Sequence, residues 1–276
     1  MSTIRTICFF ALFCVFAPTA LPQGLSLDMV GDEVPAKLRS DLQQAVSDFP
    51  EATSRLDARR RARDAARTAS NVLNSYGFFD PAIETGVTEE APFQAFLRID
   101  PGPEFSVSQV EIEYVGQPPG AADIDIVDAG RPAIQGGAAI PEALIIEQKR
   151  MERAFRDLGY ADIEVAQPDL IADRETASVV VTIEVETGYP VRLGGTTIEG
   201  AERTRVAFVD RLKPFDPGEL YTPAALARLA QRLSSTRHYD DVDVDLADAD
   251  PDHPDAPRDV VVTLDERPRN TLSIGA

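Results

Sequence analysis

His238 and His253 are the only imidazoles in the 276-residue chain, and they bound what acid-base chemistry it could carry. A serine hydrolase needs one of them beside an activated hydroxyl, and neither lies near a Gly-x-Ser-x-Gly elbow. Catalysis requires acid, base and nucleophile placed together, so the chain reads as a non-enzyme with no catalytic residue and no cofactor. The acidic run Asp240, Asp241, Asp243, Asp245, Asp248, Asp250, Asp252 and Asp255 invites a calcium reading. An EF-hand loop counted from Asp241 wants glycine at its sixth position and a bidentate glutamate at its twelfth, where this chain has Leu246 and Asp252. Val242, Val244 and Leu246 alternate with those aspartates, which fits a strand with one solvated acidic face. No metal ligand is assigned.

The other dense charge is basic. Arg55, Arg59, Arg60, Arg61, Arg63 and Arg67 could meet anionic lipid head groups, but Asp57 and Asp64 are interleaved with them, as on the wet face of a helix. A net charge of −19 argues against nucleic acid, whose phosphates need a basic surface.

These residues sit in a chain that opens like an exported protein. Arg5 precedes an apolar run from Ile7 to Ala17, then Pro18, Thr19 and Ala20. That run is too short for a membrane anchor, which needs about 20 apolar residues, and it matches a secretory signal over 1–20, cleaved after Ala17 or Ala20. A lipoprotein reading of Cys14 is poor, because the bulky Phe13 precedes it. Cys8 and Cys14 both fall in the signal, so the mature chain has no thiol for disulfide, zinc or nucleophile chemistry.

The remainder repeats with a period of about 80 residues. Three cognate stretches are Tyr76-Gly77-Phe78-Phe79-Asp80, Leu158-Gly159-Tyr160-Ala161-Asp162 and Arg237-His238-Tyr239-Asp240-Asp241. Each follows a helical pattern: Leu56, Ala62, Ala65, Ala69, Val72, Leu73 and Tyr76; then Leu144, Gln148, Met151, Ala154, Phe155 and Leu158; then Leu226, Leu229 and Leu233. Gly77 and Gly159 stand where a helix ends in a left-handed turn, and His238 takes the glycine's place in the third copy. Strands with period two follow: Phe93, Ala95, Leu97 and Ile99; Val179, Val181, Ile183 and Val185; Val260, Val262 and Leu264. Pro/Gly seams at 100–105 and 187–191 hand over to the next strand.

The order within a unit is strand, helix, helix, strand, strand. The first strand spans about Leu25 to Val30 and the first helix about Val34 to Phe49. In the third unit, helix one covers about Arg203 to Leu212, and Thr222 caps helix two with Pro223 in its first turn. The second unit carries Pro118, Pro119, Gly120, Gly130, Pro132, Gly136 and Gly137, so its first helix is expected to be short or partly lost.

With these features in view, the chain resembles the POTRA-containing outer-membrane assembly proteins, and within them the TamA type, which has three modules where the BamA type has five. The resemblance is sharpest from Gly218-Glu219-Leu220-Tyr221-Thr222 through Leu226, Leu229, Gln231 and Leu233 to His238-Tyr239-Asp240-Asp241-Val242-Asp243-Val244. The ending from Glu266 to Gly275 is similar to the family's entry into a barrel.

The resemblance implies an α+β chain of three tandem β-α-α-β-β modules, truncated at the start of a C-terminal outer-membrane β-barrel. Residues 1–20 are the signal, 21–104, 105–189 and 190–268 the modules, and 269–276 the start of the first barrel strand. It also implies an exported protein at the periplasmic face of the outer membrane. The strand after the second helix of each module is expected at a sheet edge (Pro81 to Glu89, Asp162 to Leu170, Asp241 to Leu246), open to an incoming extended segment. The binding residues implied are Ile83, Thr85, Val87, Ile163, Val165, Val242, Asp243 and Val244. Implied partners are unfolded outer-membrane or secreted clients, a periplasm-spanning TamB-like protein, and the outer membrane through the barrel. The competing expectations are two-partner secretion, which would show a plug helix and two modules, and an envelope scaffold or lipid-traffic role.

Overall fold

A computed structural model of the chain describes residues 25–30, 34–47 and 52–268. The expected signal and the expected start of a barrel strand lie outside the described residues. The fold is mixed α+β, and the chain divides into two compact units: residues up to Leu73 with Pro81–Gly102, and Asn74–Asp80 with the residues from Pro103 onward.

The first unit holds β1 (Leu25–Met29), α1 (Ala36–Ser47), nearly all of α2 (Arg55–Ser75), β2 (Ala82–Val87) and β3 (Ala95–Asp100). Its sheet runs in the order β1-β3-β2, with β1 parallel and β2 antiparallel to the central β3. Central β3 alternates strictly, burying Ala95, Leu97 and Ile99, because a strand flanked on both sides must hide one whole face under the helices. α2 buries Ala58, Ala62, Ala65, Ala69 and Leu73, a stripe of small residues that lets the helix lie close on its neighbours. Leu56, expected on that stripe, is 74% exposed; it sits in the first turn, and Ala58 takes the inward position instead. The start of α2 is capped by Ser54, whose hydroxyl accepts from the Asp57 N–H at 3.2 Å, while the Asp57 carboxylate accepts from the Thr53 N–H at 3.1 Å.

The second unit carries two sheets. One contains β4 (Ser106–Tyr114), β5 (Glu164–Val165), β6 (Asp169–Asp173) and β7 (Ser178–Glu186), with β4 parallel to central β7 and both β5 and β6 antiparallel to it. The other is β8 (Leu193–Glu199), β9 (Tyr239–Leu246) and β10 (Arg258–Glu266) in the order β8-β10-β9. Each sheet has its own apolar cluster. Val179, Val181, Ile183 and Val185 of β7 pack with Phe155 and Met151; Val260, Val262 and Leu264 of β10 pack with Leu229 and Leu233. At about 1.5–3 kcal/mol per fully buried aliphatic side chain, the central strands dominate both cores.

The helices of this unit are α3 (Ala121–Ala129), α4 (Pro141–Asp157), α5 (Val206–Asp210) and α6 (Pro223–Ser235). α3, expected to be short or partly lost, is short but intact at nine residues, since its prolines and glycines flank the segment without interrupting it. α5 is shorter than the expected Arg203 to Leu212, with five residues. α6 starts as its sequence predicts, with the Thr222 hydroxyl accepting from the Ala225 N–H at 3.3 Å and Pro223 in the first turn.

The repeated turn after each second helix needs one correction. The left-handed residues are Gly77 (φ +87), Gly159 (φ +101) and Arg237 (φ +59). Glycine's place in the third copy is therefore taken by Arg237, and His238 is an added residue before the strand. Tyr160 and Tyr239 then play matching parts. The Tyr160 hydroxyl donates to Asp123 at 2.8 Å and accepts from the Gly120 N–H at 3.2 Å, and the Tyr239 hydroxyl lies 3.0 Å from that of Thr204. Each tyrosine ties the strand after helix two to the start of helix one.

Candidate functional site

Whether an edge strand can receive another chain depends on the phase of its hydrogen bonds. In an antiparallel ladder, alternate residues turn both N–H and C=O toward the partner and the others turn them away. The Thr88 N–H donates to the Gln94 carbonyl at 3.0 Å, in register with β2 against β3. Gly86 and Glu84 therefore share the inward phase, and Ile83, Thr85 and Val87 present their backbone groups outward. In β9 the phase is set by the Ala247 N–H donating to the Asp259 carbonyl at 2.8 Å. Val242, Val244 and Leu246 turn outward; Asp243 turns its backbone toward β10 and only its side chain to solvent. Leu246, the end of the edge expected from Asp241 to Leu246, shares the outward phase of Val242 and Val244.

The middle edge is different. The strand expected from Asp162 to Leu170 is broken into β5, of two residues, and β6, of five. Pro168 lies in the gap, where a proline interrupts a ladder because it has no N–H to donate. Val165 is half-buried with its backbone outward, since the Ala166 N–H donates to Glu184 at 2.9 Å. Ile163 precedes β5 and is buried in the core, 2% exposed, so its side chain meets the protein interior.

The opposite edges in the second unit are covered at their starts by the chain itself. Beside β4, the Val107 N–H donates to Gly137 at 2.8 Å and the Gly136 N–H donates to Val107 at 2.7 Å. Beside β8, the Leu193 N–H donates to Glu219 at 2.8 Å and the Gly218 N–H donates to Leu193 at 2.7 Å. In both cases the loop before helix two covers only the start of the first strand, a partial protection of a sheet edge. Among the described residues no strand or loop covers β2 or β9 in this way.

β2 is bordered by a groove of about 520 Å³ lined by Arg55, Leu56, Arg59 and Arg63 of α2 and by Thr85 and Val87. The arginines of α2 divide into two sets. Arg61 pairs with Asp57 at 2.8 Å, and Arg60 and Arg67 reach Asp64; the Arg61 hydrogen bond, then the Thr53 N–H, hold the Asp57 pKa below its usual value. Arg55, Arg59 and Arg63 make no ion pair among the described residues, and they face the groove. β9, in contrast, presents Asp241, Asp243 and Asp245, all exposed. The two open edges have opposite charge.

No group of His, Cys, Asp and Glu among the described residues could hold a metal ion. His253 lies 3.1 Å from Asp250 in an exposed loop, and His238 stands edge-on to Tyr239. Among the described residues no helix is long and apolar enough to cross a membrane.

No family model matches the chain. Solved structures similar to it include POTRA domains 3–5 of BamA from Haemophilus influenzae, at 15% identity and a TM-score of 0.49 over 89% of this chain and 99% of that one. POTRA domains 1–3 of Omp85 from Anabaena match at 18% identity and a TM-score of 0.40, over 89% and 95% of the two chains. CdiB from Escherichia coli matches at 16% identity and a TM-score of 0.29, over 86% of this chain and 36% of its own.

Proposed function

We propose that this chain is the periplasmic module array of an outer-membrane assembly factor of the TamA type, binding rather than catalysing. In this reading residues 21–104, 105–189 and 190–268 are three modules, and extended client segments add as a further strand to β2 and β9. A periplasm-spanning TamB-like partner would use the same kind of edge. The observation that carries the reading is that the outward backbone rows of β2 and β9 take no backbone hydrogen bond from the chain among the described residues, whereas the starts of β4 and β8 are covered by loops of their own chain.

Backbone pairing is largely indifferent to side chains and suits many clients. Charge adds a preference. A strand added at β2 lies beside Arg55, Arg59 and Arg63 and favours alternating acidic residues; one added at β9 lies beside Asp243 and Asp245 and favours basic ones. A photo-crosslinking residue placed at Glu84, at Asp243 and, on the broken middle edge, at Ile171 tests this in cells. Adducts with client or partner polypeptides are expected from Glu84 and Asp243 and not from Ile171. Capture of nothing from either open edge would sink the proposal.

A further inference from the structure

Beyond strand addition, and independent of it, we propose that a basic cavity at one end of the third sheet binds a phosphate ester. The cavity, of about 1020 Å³, is lined by Arg203, Arg205, Arg211, Arg237 and Arg267, with Phe208 and the Glu266 carboxylate in its wall. Five guanidinium groups around one opening are unexpected in a chain of net charge −19. Two have internal work: Arg203 bonds Glu266 at 2.9 Å and Arg267 bonds Asp240 at 2.6 Å. Arg205, Arg211 and Arg237 make no ion pair among the described residues, and the Arg211 guanidinium lies 5.9 Å from the centroid of the Phe208 ring.

The fold does not require this charge. α3 holds the position of α5 in the preceding sheet's layer and carries Asp123, Asp125 and Asp128, whereas α5 is bracketed by the arginines. Arg237 adds an independent sign. It occupies the left-handed turn that glycine fills at 77 and 159, a conformation that costs a residue with a Cβ and that clusters at functional positions. Three guanidinium forks without a carboxylate partner suit the three terminal oxygens of a phosphomonoester better than the two of a carboxylate. A Debye length of about 8 Å keeps the remote acidic surface from cancelling the patch. The apolar wall at Phe208 leaves room for a neighbouring uncharged part, as in a phospholipid head group.

Two arms identify the source of the phosphate. The full chain is sedimented with vesicles of phosphatidylcholine alone and with vesicles in which part of it is replaced by phosphatidic acid. It is also titrated calorimetrically with two soluble monoesters, glycerol phosphate and glucose 6-phosphate. Retention only on the anionic vesicles assigns a lipid head group, and heat with the soluble phosphates assigns a free ester. Arg237→Gly is expected to weaken binding about tenfold while leaving the Tm equal or higher, because glycine adopts that turn without strain. Arg205→Ser with Arg211→Ser is expected to weaken it further. Absence of binding in both arms, equal retention on neutral vesicles, or variants that bind like the parent overturns the assignment.

Discussion

Glu266 shows how much one side chain can organise. Its carboxylate accepts from the Thr204 hydroxyl at 2.7 Å, the Thr204 N–H at 2.8 Å and the Arg203 guanidinium at 2.9 Å. The Thr204 hydroxyl, then Arg203, hold its pKa down to about 2 from 4.5. A carboxyl whose folded pKa is depressed stabilises the fold fully above its unfolded value and loses that contribution as pH falls toward the folded one. Denaturant unfolding of Glu266→Gln and the parent should therefore differ at neutral pH and converge between pH 4.5 and about 2; a constant difference across that window would contradict it. Glu147 is the other organising acid, 1% exposed in the second unit's core and bonded twice by Arg150 at 2.6 and 2.7 Å. That hydrogen bond leads the causes that raise the Arg150 pKa. Glu147→Ala takes the buried carboxylate from Arg150, while Arg131 keeps Asp128, and is expected to cost about 3 kcal/mol in urea unfolding. Sequence periodicity gave no warning of it, because a glutamate within a helix rich in Glu and Arg reads as solvated.

Among the elements, turns and edges carry the distinctions. Gly200 closes β8 at φ +72 with the Leu264 carbonyl 2.8 Å from where a Cβ would stand, whereas Gly218, at φ +90, has nothing within 4 Å. Gly218→Ala should cost about 1 kcal/mol from backbone strain alone. Gly200→Ala should cost about 3 kcal/mol, because the obstructing atom belongs to the backbone of β10 and cannot swing aside. Equal losses in urea unfolding would mean the contact is not rigid. The outward phase of β2 gives a second test. Thr85 donates nothing to β3, so Thr85→Pro removes a donor only from the open side and should cost about 1 kcal/mol while abolishing crosslinks from Glu84. Leu97→Pro in central β3 removes ladder bonds and should cost about 3 kcal/mol or more. The helices and central strands were legible in advance because their periods are local. The phase of the third turn was not, since an arginine in a left-handed conformation has no signature that separates it from the histidine one residue on.

For the molecule as a whole, charge is the widest-acting feature. With a net charge of −19 spread over an exposed surface, self-repulsion weakens the compact state at low ionic strength. Raising salt from about 0.01 M to about 0.15 M shortens the screening length from roughly 30 to 8 Å, and the Tm should rise; a fall would show that ion pairs such as Arg258–Asp162, at 2.7 Å, outweigh the repulsion. That pair, with the Val191 N–H donating to Gly159 at 2.8 Å, ties the second and third sheets into one unit.

Alone, the sequence determined the repeat, the order of strands and helices within it, and the buried faces of β7, β10 and α6, because hydrophobic periodicity and turn chemistry act over a few residues. Tertiary structure decided which edges stay open, that the middle edge is broken, that Glu147 is buried, and that five arginines share one cavity. Those outcomes depend on residues tens of positions apart meeting in space, as Arg203 meets Glu266 and Gly137 meets Val107, and no local pattern encodes such a meeting.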